Sequence, residues 1–183
     1  KAEHGLSFLV KMPTAHILFD TGQSDLLLHN AAVLGEDLQL VTHVVISHGH
    51  YDHGGGLAAF LNINQHATVW MHRLAVEPKQ SSATGQLRPI GLLDDLQLHQ
   101  HRVKWVDGPF EIAPDVWLLP QIDLRTSYET VNAKLFVERQ GQSVPDMFDD
   151  ELVMYLRHRN GLVLVSGCAH RGIVNTIEAV SAH

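Results

Sequence analysis

Apolar positions along this chain come in short runs, most of them four to six residues long and broken by turn-forming residues. Leu6–Lys11 and His16–Asp20 flank Met12-Pro13-Thr14, which predicts a β-hairpin or two neighbouring strands. Ser24 stands as an N-cap before Leu26, Leu27, Val33 and Leu34, with Gly35 as the stop of a helix. Val41–Ile46 is β-branched and almost wholly apolar, the composition of a buried strand. Gly54-Gly55-Gly56 leads into a helix over Leu57–Leu61, and Ala67–Met71 reads as a strand. From Glu77 to Asp95 the chain carries Pro78, Ser81, Ser82, Gly85, Pro89 and Gly91, which predicts a long irregular excursion of the functional kind.

A second series of strands is expected at Arg102–Val106, Phe110–Ile112, Val116–Leu119, Leu152–Arg157 and Leu162–Val165. Asn160-Gly161 is the hairpin turn between the last two. Gly172–Val180 reads as a helix with Ile173, Val174, Ile177 and Val180 on one face. Strands and helices interleave in both halves, and no linker-like or low-complexity segment divides them. The expectation is one α/β domain over residues 1–183.

Composition narrows the function classes. With 183 residues and 45% of them hydrophobic, the chain can bury a substantial core. No apolar run is long enough to span a bilayer. A formal charge of −7 without a Lys/Arg cluster argues against nonspecific nucleic-acid binding, which needs a basic face. The single cysteine, Cys168, leaves no intramolecular disulfide and is compatible with a reducing, cytoplasmic compartment. The partner expected is a small-molecule substrate; the oligomeric state is not legible.

The chemistry concentrates in Ser47-His48-Gly49-His50-Tyr51-Asp52-His53-Gly54-Gly55-Gly56, directly after the buried strand. Residues two apart in extended backbone share a side, so His48, His50 and Asp52 are expected to converge, with His53 reaching a neighbouring point. Four donors in six positions suit two adjacent ions better than one. Imidazole with carboxylate suits Zn²⁺, Fe or Mn rather than Ca²⁺ or Mg²⁺. The 14 histidines of the chain dilute the signal of any one, so only this clustered set carries weight; His16, His29, His66, His99, His101 and His158 show no ligand spacing.

His48-Gly49-His50-Tyr51-Asp52-His53 resembles the H-x-H-x-D-H signature of the metallo-β-lactamase superfamily. Leu18-Phe19-Asp20-Thr21-Gly22 is similar to its early aspartate loop. Glu3-His4-Gly5-Leu6-Ser7 and Leu164-Val165-Ser166-Gly167-Cys168-Ala169-His170 resemble a narrower branch, which holds dihydropterin–aminobenzene ribofuranosyl phosphate synthases and relatives called only metal-dependent hydrolases. The resemblance implies an αββα sandwich with two divalent metals, most readily zinc, at one edge between the sheets. It implies His48 and His50 on one ion and Asp52 and His53 on the other, with His170 a later ligand. Cys168 stands where relatives often carry a bridging Asp or Cys; its other reading is a small buried residue. Asp20 is then expected to orient a ligand histidine, while Glu3 and His4 line the substrate mouth or fray as a terminus.

Set against the superfamily pattern, a last C-terminal histidine has no obvious equivalent, His183 being expected to fray, and a strand before Glu3 is lacking. Both point to a fragment. The reaction expected is hydrolysis of an ester, lactone or phosphoester by metal-activated hydroxide, with Asp52 and His170 handling protons. The alternative is group transfer from a pterin-like diphosphate with release of pyrophosphate, where Lys79 and Arg88 of the 77–95 excursion would hold phosphate. A non-catalytic binding domain would show an eroded ligand cluster, and a redox di-iron centre would need a flavin or partner domain.

Overall fold

The computed structural model describes residues 1–92 and 99–183. The chain enters through the predicted hairpin, β1 (Phe8–Lys11) and β2 (His16–Phe19), paired antiparallel with Phe8 opposite Phe19. Helix α1 (Leu26–Leu34) returns the chain to β3 (His43–Val45), parallel to β2. The Ser24 hydroxyl accepts the Leu26 N–H at 3.1 Å, although the helix itself starts one residue past Asp25. Gly35 closes the helix in the left-handed conformation at φ 72°, as its sequence position predicts.

After β3 come the short α2 (Tyr51–Gly54), α3 (Leu57–Ile63) and the parallel strand β4 (Thr68–Met71). The 77–95 excursion is more ordered than its turn residues suggest. β5 (Lys79–Ser81) and β6 (Arg88–Pro89) pair antiparallel within it, and its last residues, 93–95, lie outside the described residues. β7 (Val103–Trp105) then completes a first sheet of order β1-β2-β3-β4-β7.

The second half begins with β8 (Phe110–Ala113) and β9 (Val116–Pro120). β10 (Leu135–Arg139) and β11 (Gln142–Pro145), which no run in the sequence predicted, join the excursion hairpin in a small sheet of order β11-β10-β5-β6. β12 (Leu152–His158), β13 (Gly161–Val165) and α4 (Ile173–Ala182) close the described structure, with a third sheet of order β13-β12-β9-β8.

Strand alternation explains the layers. On one face of the first sheet Leu18, Val44, Ile46, Val69 and Met71 pack with Leu57, Phe60 and Leu61 of α3 and Ala31 of α1. On the other, Ile17, Phe19 and Val45 meet Val116, Leu118, Leu152 and Met154 of the third sheet. That sheet turns Leu119, Val153 and Tyr155 outward, against Val180 of α4. Helices, sheet, sheet and helix therefore stack as an αββα sandwich.

Helix α4 departs from the face predicted for it. Ile173 and Ile177 are 47% and 49% exposed, whereas Asn175 and Thr176 are buried. The polar pair is buried because it is fully engaged. The Asn175 side chain accepts the N–H groups of Arg125 and Thr126 and donates to the Arg171 carbonyl, and the Thr176 hydroxyl donates to the Gly172 carbonyl. Glu129 caps the helix from a distant loop by accepting the N–H groups of Val174 and Asn175, each at 2.9 Å. His183 is held rather than loose, its Nδ1 2.5 Å from the Tyr155 hydroxyl.

Candidate metal centre

The donors gather where the parallel strands end. Asp20 follows β2 with φ 57°, Ser47 and His48 follow β3, and His50 starts α2 in an extended conformation. His48 and His50 do come together, but through a tight turn after β3, in which the His50 N–H donates to the His48 carbonyl at 3.0 Å, rather than through strand alternation. Asp52 and His53 lie in the turn of α2, and it is the helical turn that returns their side chains to the site. A Cβ at Gly49 would overlap the Ala75 carbonyl oxygen, and one at Gly167 the Ser47 hydroxyl, so both close approaches require glycine.

His48 Nε2 lies 3.0 Å from His50 Nδ1, and the His48 ring centre is 4.3 Å from that of His53. From the second half, Cys168 and His170 arrive on the segment between β13 and α4. Donor atoms of His48, Cys168 and His170 all lie within 4.8 Å of one another. Cys168 Sγ is 3.1 Å from His53 Nε2, and Asp52 Oδ2 is 3.8 Å from that same nitrogen. Five of the six expected donor residues are thus linked by these distances, and the sixth, His50, is joined through His48. Cys168 is exposed, against the reading of a small buried residue.

Asp20 is fully buried beneath this cluster. One oxygen accepts the Ser47 N–H at 2.7 Å; the other lies 2.7 Å from the Ser47 hydroxyl and 2.6 Å from His53 Nδ1. With its proton given to Asp20, the Ser47 hydroxyl is free to accept from His48 Nδ1 at 2.9 Å. Asp20 therefore orients His53 directly and His48 through Ser47, turning the Nε2 of His53 towards Cys168 and that of His48 towards His50. Sequence reading missed Ser47, whose hydroxyl gives no signal outside the fold.

The mouth is a cavity of about 170 Å³ lined by His4, His50, Asp52, Cys168 and His170, with Tyr51, Ser81, Arg88, Ile90 and Leu135 as walls. His4 sits over Asp52, Nε2 to Oδ2 3.0 Å. Glu3, expected beside it, is not part of this wall. Its carboxylate accepts from the Gln23 and Ser24 N–H groups and from the Ser24 hydroxyl at 2.6 Å, tying the N-terminal segment to the loop before α1. Lys79 is also withdrawn from the mouth, buried between Asp146 and Asp150, while Arg88 is exposed at the rim.

Burial sets the protonation of the cluster. It drives His48 well below the usual imidazole value, His50 down to about 2 and His170 down to about 4, with nearby cationic groups adding to the effect. These three are neutral near pH 7, the form in which imidazole binds a metal. Burial would lower His53 too, but its hydrogen bonds to Asp20 and Cys168 lift it to about 10. Among the described residues, the buried nitrogens His50 Nε2 and His170 Nε2 have no hydrogen-bond partner. Unpartnered buried imidazole nitrogens beside a thiol and a carboxylate fit a divalent transition metal, which would satisfy them.

Comparison with known proteins agrees with this fold. A family profile described as the metallo-beta-lactamase superfamily matches residues 1–133. The chain is 29% identical over 195 aligned positions to the 7,8-dihydropterin-6-methyl-4-(beta-D-ribofuranosyl)-aminobenzene-5'-phosphate synthase of Methanocaldococcus jannaschii, covering 97% of this chain and 65% of that protein. The crystal structure of Tm1679, described as a metal-dependent hydrolase of the beta-lactamase superfamily, superposes with a TM-score of 0.83 at 36% identity, over all of this chain and 65% of that one. Rm3 metallo-beta-lactamase shares the fold at 20% identity and a TM-score of 0.52, over 88% of this chain and 54% of that one. The chain spans about two thirds of the length of these first two relatives. With its sandwich fold and its donors at the sheet ends, the chain belongs to the metallo-β-lactamase superfamily.

Proposed function

We propose that this chain carries a dinuclear metal centre and hydrolyses an ester, lactone or phosphoester of a small molecule. The observation that supports this most is the clustering of His48, His50, Asp52, His53, Cys168 and His170 beside one cavity, with two buried imidazole nitrogens unpartnered among the described residues. His48, His50 and His170 would hold one ion; Asp52, His53 and Cys168 would hold the other. Two bound divalent ions, most readily zinc, would supply a water acidified towards neutral pH and polarisation of the scissile oxygen.

The rest is done by the chain itself. Asp20 and Ser47 fix the donors before substrate arrives, which lowers the reorganisation needed on binding. Asp52 borders the cavity and faces His4, so it is placed to take a proton at Oδ2 and pass it outward. His170, also expected to handle protons, is neutral near pH 7 and would spend its one free lone pair on an ion, so proton transfer rests with Asp52. Tyr51, Ile90 and Leu135 form an apolar wall that keeps water off the leaving group. The test is a panel of aryl esters, lactones and phosphodiesters assayed before chelation, after it, and after zinc is restored. Turnover that is lost and regained supports hydrolysis; turnover indifferent to chelation contradicts it.

A second reading has one observation in its favour, the 29% identity to a synthase. In that reading a pterin-like diphosphate binds with its phosphates towards Arg88, and pyrophosphate leaves as an arylamine adds. Pyrophosphate release from a dihydropterin diphosphate and an aminobenzene acceptor would favour transfer, and no release above background would count against it.

A further inference from the structure

Lys79 reads in the sequence as a loop cation, yet its side chain is only 2% exposed. Its Nζ lies 2.7 Å from Asp146 Oδ2 and 2.8 Å from Asp150 Oδ1. Burial alone would push the ammonium down, but the two carboxylates hold it above its ordinary value. A buried charge persists only where such partners surround it.

Both aspartates have a second use. The other oxygen of Asp150 accepts the Gly49 N–H at 2.7 Å, between His48 and His50. The other oxygen of Asp146 accepts the Phe148 N–H at 2.8 Å. Phe148 is fully buried with φ 55°, and its ring lies flat on His170, centres 4.0 Å apart and planes 10° apart. It also meets the edge of His50, at 5.8 Å. Next in the chain, Glu151 accepts the N–H groups of His170 and Arg171 at 2.6 and 2.9 Å. One short segment, 146–151, therefore grips the histidine turn of the first half and His170 of the second, and Lys79 Nζ ties that segment together.

We propose that Lys79, Asp146 and Asp150 form a positioning strut that sets the separation of the His48–His50 turn from His170, with Phe148 passing the constraint to His170. This rests on the reading of those histidines as metal ligands. Lys79 is then neither a phosphate binder nor a catalytic residue. Its hydrogen bonds fix direction as well as distance, which apolar packing alone would not do.

The test is zinc affinity, measured by competition with a chromophoric chelator, with circular dichroism to confirm the fold. Phe148→Leu and Asp150→Asn are the variants, the latter keeping its volume and an oxygen for the Gly49 N–H. Each is expected to lower affinity about ten- to a hundredfold, as loss of an orienting partner does. Phe148→Leu should add nothing further in a His170→Ala background, since its effect passes through that ring. Equal losses in both backgrounds would reveal a general structural effect and overturn the strut. Unchanged affinity in both variants, with tight binding by the unmodified chain, overturns the strut alone. No zinc binding by the unmodified chain overturns both the strut and the metal centre beneath it.

Discussion

At the scale of single residues, the account rests on three imidazoles kept neutral by burial, His48, His50 and His170, and on His53 aimed by the buried Asp20. Asp20→Asn removes the charge that holds the proton on His53 Nδ1, and metal affinity should fall about ten- to a hundredfold. Chelator competition on the folded variant checks this, and an unchanged affinity would contradict it. Burial takes His50 to about 2 and His170 to about 4, whereas both titrate near 6.5 once unfolded. Between those values the unfolded chain binds more protons, so these residues make the metal-free protein less stable as pH falls below 6.5. Glu151, raised by burial to about 7, acts in the opposite sense. Comparison of urea midpoints for the unmodified chain and His170→Asn across this range isolates the histidine. The variant should lose less stability on acidification, and identical slopes would sink the assignment. The core of this residue set was legible because four donors fall within six positions. Ser47, Phe148 and Glu151 were not, since each acts on a residue that only the fold brings near.

Among the elements, strands that announce themselves are those whose apolar side chains face a sheet or a helix. β2, β3, β9 and β12 are of this kind, and their runs predicted them to within two residues at each end. β5, β6, β10 and β11 did not announce themselves. Lys79, Gln80 and Ser81 make a strand whose burial depends on ion pairs to distant aspartates, a pattern that reads as loop in sequence. The face of α4 was misjudged for a related reason: Asn175 and Thr176 are buried by hydrogen bonds rather than by hydrophobicity. Packing energies should follow the observed faces. Leu118→Ala, fully buried between the sheets, should cost about 2–5 kcal/mol in chemical denaturation. Ile177→Ser, on the exposed face of α4, should cost no more than about 0.5 kcal/mol. A reversal of that order would contradict the layer assignment.

For the molecule as a whole, the site exists only where the two halves meet. His48, His50, Asp52 and His53 come from the first sheet and its helix, Cys168 and His170 from the far end of the third sheet. An ion held by both would bind the folded state alone and stabilise it, by about 2.7 kcal/mol at a hundredfold excess over Kd. Chelation should therefore lower the melting temperature, by roughly 5–10 °C for a chain of this size. The measurement that tests the central claim most directly is metal content by elemental analysis of this chain beside His48→Ala and His50→Ala. The account predicts about two divalent metals per chain, sharply reduced in both variants while circular dichroism stays that of the folded protein. Metal absent from the unmodified chain after incubation with zinc, or retained in full by both variants, would contradict it.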